Sequence, residues 1–312
     1  MKLDVVFMGS PEFAVPCLDA LVARADVRVC AVVTQPDKPA GRGQKLEPPA
    51  VKLAAERAGL RVLQPASVRK PPFLDELREL APDLCVVVAY GKILPPEVLA
   101  TPRLGCWNVH GSLLPKFRGA APIQWAIIRG ERETGVTLMQ MDAGMDTGAM
   151  LLKRALPIDD AVTAGELHER LAPVGAAALA EGLDRLARDG ALAGEAQDPA
   201  LATMAPMLTK DTGRVDFSSG ARAVRDLVRG CDPWPTAFTT LGGEPLKLFR
   251  PKIVSGAGEP GVVMGADRDG LIVGCGADAI AFGELQLPGK RRMPAHALLA
   301  GRAIPTRTRL GT

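Results

Sequence analysis

The chain has 312 residues, enough for two domains, each with its own core. Hydrophobic residues make up 47% and charged residues 23%, a balance that argues against a disordered, fibrous or membrane-spanning chain. The formal net charge of +3 is too small to name a partner, yet it is unevenly spread: 15 basic face 10 acidic residues from Leu208 onward, which points to a polyanion as the partner of that C-terminal third.

Residues Leu3 to Met8 form an apolar run that ends in Gly9-Ser10-Pro11, after which Phe13, Leu18, Leu21 and Val22 recur at helical spacing. This predicts strand, turn, helix. The same alternation continues with strand Val27 to Thr34, helix Ala50 to Ala58, strand Arg61 to Leu63, helix Pro72 to Leu80 and strand Leu84 to Ala89. Cys106 to His110 and Gly135 to Met141 read as strands, Ile123 to Ile128 as a helical segment, and Ala164 to Arg188 as a long helix. Strands alternating with helices predict an α/β fold, a Rossmann-like, mostly parallel sheet with helices on both faces.

Residues 190–207 are Ala-rich with little periodicity and read as a linker between a domain at 1–189 and another at 208–312. Beyond it come a helix near Arg222 to Arg229 and short strands at Ala237 to Thr240, Leu246 to Phe249, Gly261 to Met264, Leu271 to Cys275 and Ala279 to Leu287. Close-spaced strands with Gly and Pro turns predict a small β-barrel or sandwich.

The six cysteines lack C-x-x-C spacing and read as free core thiols of a reducing compartment. With neither a signal-like opening nor a long apolar run, the chain is expected in the cytoplasm and without a membrane partner. The histidines, His110, His168 and His296, lack metal-ligand spacing, so no metal is expected. Gly9 to Phe13 departs from G-x-G-x-x-G, which disfavours a nucleotide cofactor.

The informative segment runs from Asn108 to Ile123. Asn108 and His110 stand two apart on a predicted strand, so a carboxamide and an imidazole leave one face at the strand's end, before an irregular loop. Alone, such a pair also fits a structural Asn and a core His. The polar turn Asp142 to Gly148 supplies a carboxylate able to approach the imidazole. Together, Asn, His and Asp suit addition at a carbonyl: an amide donor for an oxyanion, an imidazole for a proton and a carboxylate to support it. No Ser or Cys stands in a G-x-S-x-G elbow, so direct transfer is preferred to a covalent acyl-enzyme. Thr34 to Pro49 is a long Gly/Pro-rich stretch carrying Lys38, Arg42 and Lys45, either a solvated surface loop or an arm for a phosphate backbone.

At these motifs the chain resembles the folate-dependent formyltransferase family: Asn108 to Ile123 is similar to its signature and Asp142 to Gly148 to its second motif. Val5 to Phe13 and Thr34 to Val51 resemble the tRNA-formylating branch in particular. The resemblance implies a Rossmann-like catalytic domain followed by an OB-like β-barrel. It also implies formyl transfer from 10-formyltetrahydrofolate, as co-substrate, to the α-amino group of methionyl initiator tRNA for translation initiation. Carried over by position, Asn108, His110 and Asp146 are the catalytic residues, and Ser112, Leu113, Leu114 and Pro115 line the folate site. Tyr90, Gly91 and Leu94 contribute to the pterin pocket, while Arg42, with Lys38 and Lys45, meets the acceptor stem. A monomer is expected from the same resemblance. Two alternatives stay open: a formyltransferase for a small amine, which would share the triplet without needing the basic features, and a non-catalytic RNA-binding protein, for which 4% aromatics is poor stacking material.

Overall fold

The computed structural model describes residues 2–40 and 45–311, and the chain packs into two units. The first comprises Met1–Pro122, Thr134–Leu156 and His168–Pro206; the second comprises Ile123–Glu133, Pro157–Leu167 and Met207–Thr312.

In chain order the elements up to the linker stretch are β1 (Leu3–Gly9), α1 (Val15–Val22), β2 (Val27–Val33), β3 (Lys38–Ala40), β4 (Lys45–Glu47), α2 (Ala50–Arg57) and β5 (Val62–Leu63), followed by α3 (Pro71–Leu80) and β6 (Leu84–Val88). Next come α4 (Pro96–Ala100), β7 (Cys106–His110), α5 (Pro122–Ile128), β8 (Glu133–Gln140), β9 (Met150–Pro157) and α6 (Ala164–Asp189). Seven strands form one sheet in the order β5-β2-β1-β6-β7-β8-β9. β5, β2, β1, β6 and β7 run parallel, and β8 joins β7 antiparallel. The expected mostly parallel sheet is therefore present. β6 reads Leu-Cys-Val-Val-Val and is buried along its whole length, as a central strand covered on both faces must be.

The strand order reverses between β1 and β6, the switch point where the carboxyl ends of neighbouring strands leave a crevice. α6 docks where glycines let it approach closely: a Cβ at Gly175 would stand 2.9 Å from Val109 Cγ1, and one at Gly182 would stand 2.4 Å from Leu138 Cδ2. Residues 175 and 182 are two helical turns apart, so both face the sheet.

Three features here differ from the sequence expectation, the first being α4, which was not expected. β9 was not expected; its outer half is exposed, so it carries neither a continuous apolar run nor clean alternation. The long loop at Thr34 to Pro49 contains a short antiparallel hairpin of β3 and β4. Arg42 lies outside the described residues, as does the side chain of Lys45; Lys38 is exposed.

The remaining elements are α7 (Ala221–Gly230), β10 (Phe238–Leu241), β11 (Glu244–Val254), β12 (Val263–Asp267), β13 (Gly270–Gly274), β14 (Ala279–Gln286), β15 (Met293–Pro294) and α8 (Ala295–Gly301). The strands pair antiparallel in the order β10-β11-β14-β13-β12, with β15 against β14. Among the described residues no strand pairing closes this sheet into a barrel. Its core gathers Val224 and Val228 of α7 with Leu246, Leu248, Val273 and Phe282 of the strands. Arg229 is 3% exposed and bonds the Asp226 carboxylate at 2.8 Å and the carbonyls of Asp159 and Val162 at 2.8 and 3.0 Å, fixing residues 157–167 to α7.

All six cysteines are free, five of them buried. Among the described residues no helix is long and apolar enough to cross a membrane, and no group of three His, Cys, Asp or Glu is placed to hold a metal ion.

Candidate active site

Asn108 and His110 project from one face of β7 near its carboxyl end. β7 lies between β6 and β8, with Asn108 in register with Val87 on one side and Met139 on the other. The Asn108 carboxamide is half-buried, and no hydrogen-bond partner for it occurs among the described residues. An amide with no partner among the described residues has its donor available to a ligand.

His110 is 6% exposed, and its Nε2 lies 2.9 Å from the carbonyl oxygen of Phe117. A carbonyl only accepts, so in the neutral ring the proton sits on Nε2 and the lone pair on Nδ1. Nδ1 faces Asp146 Oδ2 at 3.6 Å, too far for a hydrogen bond. That carboxylate oxygen accepts the Gly119 N–H at 2.8 Å. The ring is thus oriented by a backbone carbonyl, while the carboxylate waits beside the one nitrogen free to take up a proton. Asp146 itself has a φ of 54°, in the left-handed region that Asp tolerates better than most residues.

The loop from Gly111 to Gly119 is held by one side-chain hydrogen bond of its own and by several to β8 and to residues 203–205. Thr137 Oγ1 donates to the Ser112 carbonyl at 2.7 Å and accepts from the Leu114 N–H at 3.0 Å, and Ser112 Oγ donates to the Lys116 carbonyl at 2.6 Å. The Phe117 N–H donates to Thr203 Oγ1 at 2.9 Å. Backbone bonds from Arg118 N to Thr203 O and from Ala205 N to Arg118 O, at 2.8 and 2.7 Å, lay residues 203–205 along the loop. Gly119 has a φ of +121°, and a Cβ there would stand 2.7 Å from the Ala205 carbonyl oxygen. The stretch expected to be a linker therefore braces the loop that orients His110. Sequence reasoning missed this, since a non-periodic Ala-rich segment gives no sign of partners so distant in the chain.

An open pocket of about 180 Å³ adjoins Asp146 and is lined by Lys92, Ile93, Leu94, Met139, Met141 and Met145, together with Asp142 to Gly144. Of the folate residues expected from the resemblance, Leu94 lines it. Ser112 and Leu114 are buried, the Ser112 hydroxyl being engaged by its own loop. Leu113 and Pro115 are half-buried. Gly91 has a φ of +79°, where glycine is favoured. Tyr90 is buried, no partner for its hydroxyl occurs among the described residues, and burial pushes the phenol up to about 12. Met139 and Met141, two apart on either side of the end of β8, are a signal that was available and not used. The turn opposite is stiffened by Asp142, whose carboxylate accepts from Gly144 N at 3.0 Å and Thr147 Oγ1 at 2.7 Å.

The basic hairpin is tied to this region at its base. Gln35 Nε2 donates to the Tyr90 carbonyl at 2.9 Å, and Gln64 Nε2 donates to Asp37 at 2.7 Å. The Gln64 amide and the Lys52 ammonium hold the Asp37 carboxyl below the usual carboxylate range.

Comparisons with known proteins bear on this geometry. Residues 1–183 match the formyl transferase family and residues 207–303 its C-terminal domain. The methionyl-tRNA formyltransferase of Citrifermentans bemidjiense is 52% identical over 299 residues, covering 96% of this chain and 93% of the relative. That of Geotalea daltonii is 52% identical over 309 residues, covering 99% and 98%. Among solved structures, an N-formyltransferase from Helicobacter canadensis in complex with folinic acid and dTDP-3-aminofucose superimposes with a TM-score of 0.69 at 17% identity, covering 90% of this chain and 99% of that one. HypX from Aquifex aeolicus in complex with tetrahydrofolic acid gives 0.63 at 19% identity, over 97% of this chain and 48% of that one. At such identities the likeness speaks for the fold alone. The matches to both domain models and the full-length relatives place the chain in the formyl transferase family.

Proposed function

We propose that this chain moves a formyl group from 10-formyltetrahydrofolate to the α-amino group of methionyl initiator tRNA, the activity named for its relatives at 52% identity. The observation that carries the chemistry is one strand face holding an unpaired Asn108 carboxamide and a His110 ring whose free Nδ1 stands 3.6 Å from Asp146. The methionine-lined pocket fits a flat heteroaromatic ring system: thioether side chains pack adaptably on aromatic faces, and Asp142, Asp146 and Lys92 supply polar edges. In this reading Leu94 with Tyr90 and Gly91 borders the pterin, and the Ser112 to Pro115 turn shapes the inner wall.

The co-substrate supplies a formyl carbon attached to nitrogen, already activated for attack by an amine. Asn108 donates to the formyl oxygen as negative charge builds there. His110 Nδ1 accepts the proton released by the attacking amine, directly or through one water, and Asp146 offsets the positive charge that then appears on the ring; as the tetrahedral adduct collapses, the bond from the formyl carbon to N10 breaks, N10 takes the proton back from Nδ1, and tetrahydrofolate leaves. The Phe117 carbonyl keeps Nε2 occupied, so the proton can only go to the nitrogen facing the site.

The finer architecture belongs to the same reading: a Rossmann-like catalytic domain at 1–189 with helices on both faces, a linker at 190–207 and an OB-like tRNA-binding domain at 208–312. Phosphate contacts from Lys38, Arg42, Lys45 and the basic C-terminal stretch hold the acceptor arm, so affinity falls as salt rises. The protein acts as a monomer in the cytoplasm. The test is to mix purified protein with 10-formyltetrahydrofolate and methionyl initiator tRNA, using free methionine and methionyl elongator tRNA as controls. Formylation confined to the initiator species supports the proposal. Folate turnover without formylated tRNA refutes the acceptor and leaves a small amine in its place.

A further inference from the structure

The geometry points to Gln197 as a positioning residue for the transfer, acting through the two loops that frame His110; this rests on the proposed reading of the site. Gln197 is 9% exposed and every hydrogen-bonding group of its carboxamide is used. Its Nε2 donates to the carbonyls of Asp146 and Gly148 at 2.7 and 2.8 Å. Its Oε1 accepts from Arg118 Nε and Nη2 at 3.0 and 2.8 Å. One side chain therefore spans the acidic turn and the loop of Phe117 to Gly119.

Those two segments set the surroundings of the imidazole. Phe117 offers the carbonyl that fixes Nε2, Gly119 donates to Asp146 Oδ2, and Asp146 carries the charge facing Nδ1. Among the described residues Gln197 is the partner that reaches the Asp146 backbone carbonyl from outside its own turn. A carboxamide is also the one side-chain group of this size with a donor end for two carbonyls and an acceptor end for a guanidinium. Glutamate would keep the Arg118 bond and turn an oxygen without a hydrogen towards the Asp146 and Gly148 carbonyls. Methionine would lose both ends.

The expected cost follows from catalysis depending on sub-ångström placement: loosening of about 1 Å lowers turnover by about a hundredfold. Gln197→Met should lower kcat by about ten- to a hundredfold at every pH, with KM for the formyl donor changed less than about threefold. Gln197→Glu should show a similar loss at alkaline pH. Relative to wild type at each pH, it should recover in part as the pH falls through and below the ordinary glutamic acid range, about 4 to 5, since the Arg118 guanidinium favours the ionised carboxyl and a protonated one has a single hydrogen for the two carbonyls.

The test measures kcat and KM against pH for wild type, Gln197→Met and Gln197→Glu, with thermal unfolding of each. The Gly119 amide resonance is followed in parallel, since it reports the bond to Asp146 without any turnover. The inference predicts the pH-dependent recovery only in Gln197→Glu, and a Gly119 resonance displaced in Gln197→Met while the protein remains folded. Wild-type kcat and an unmoved Gly119 resonance in both variants would overturn it, as would equal losses that track unfolding and show no recovery. If wild type fails to formylate methionyl-tRNA, the acceptor assignment falls, and the Gly119 resonance still decides the role of Gln197.

Discussion

Asp146→Asn separates charge from shape at the site. The substituted amide oxygen can still accept the Gly119 N–H that Oδ2 takes at 2.8 Å, so the turn has no reason to move. What disappears is a negative charge 3.6 Å from His110 Nδ1. A unit charge appearing on the ring is stabilised at that distance by about 1.2 kcal/mol at the dielectric of water and about 4.6 kcal/mol at an effective value of about 20. These limits correspond to about eightfold and about two-thousandfold in rate. With side chains only 6% and 18% exposed, the pair lies well away from the aqueous limit, and a loss of about a hundredfold in kcat is expected. The assay is single-turnover formyl transfer with saturating tRNA, accompanied by thermal unfolding, where a midpoint within about 3 °C of wild type shows the fold intact. Wild-type kcat in a folded Asp146→Asn protein would refute the charge argument. A collapse of stability would show that the carboxylate is structural.

Two further outcomes follow from the packing. Gly119→Ala forces a Cβ to 2.7 Å from the Ala205 carbonyl oxygen at a φ of +121°; it should cost about 1–3 kcal/mol and lower the unfolding midpoint by several degrees, with turnover falling at least about tenfold as the Gly119 N–H leaves Asp146. Arg229→Ala removes one of two guanidinium partners of Asp226, itself 2% exposed, leaving Arg225 Nε at 2.8 Å, and strips the donor from two carbonyls; urea denaturation should show a loss of about 2–4 kcal/mol, and an unchanged midpoint would contradict the role given to this buried cluster.

The strands of the central sheet were legible because each is an apolar run closed by a turn: Cys106 to His110 matches β7 at both ends, and Leu84 to Ala89 matches β6 within one residue. β9 was not, because Met150–Leu152 are buried and the next three residues exposed, a pattern with no strand period. The β3 and β4 hairpin was hidden by its prolines and lysines. At the site, the two-residue spacing of Asn108 and His110 shows in any reading of the sequence, and the acidic turn marks Asp146. The orientation of His110 was not legible, since its partner is the backbone carbonyl of Phe117, and a carbonyl carries no letter in the sequence. Gln197 was equally silent: it bonds residues 49 and 51 positions earlier from a stretch without periodicity.

The most direct measurement of the central claim is single-turnover formyl transfer to methionyl initiator tRNA by Asn108→Ala, beside its tRNA affinity measured separately. The carboxamide has no partner among the described residues to lose, so the fold and tRNA binding should be retained while transfer falls by about a hundredfold or more, as loss of an oxyanion donor requires. Transfer at the wild-type rate would contradict the assignment of Asn108, and with it the chemistry built on this face of β7.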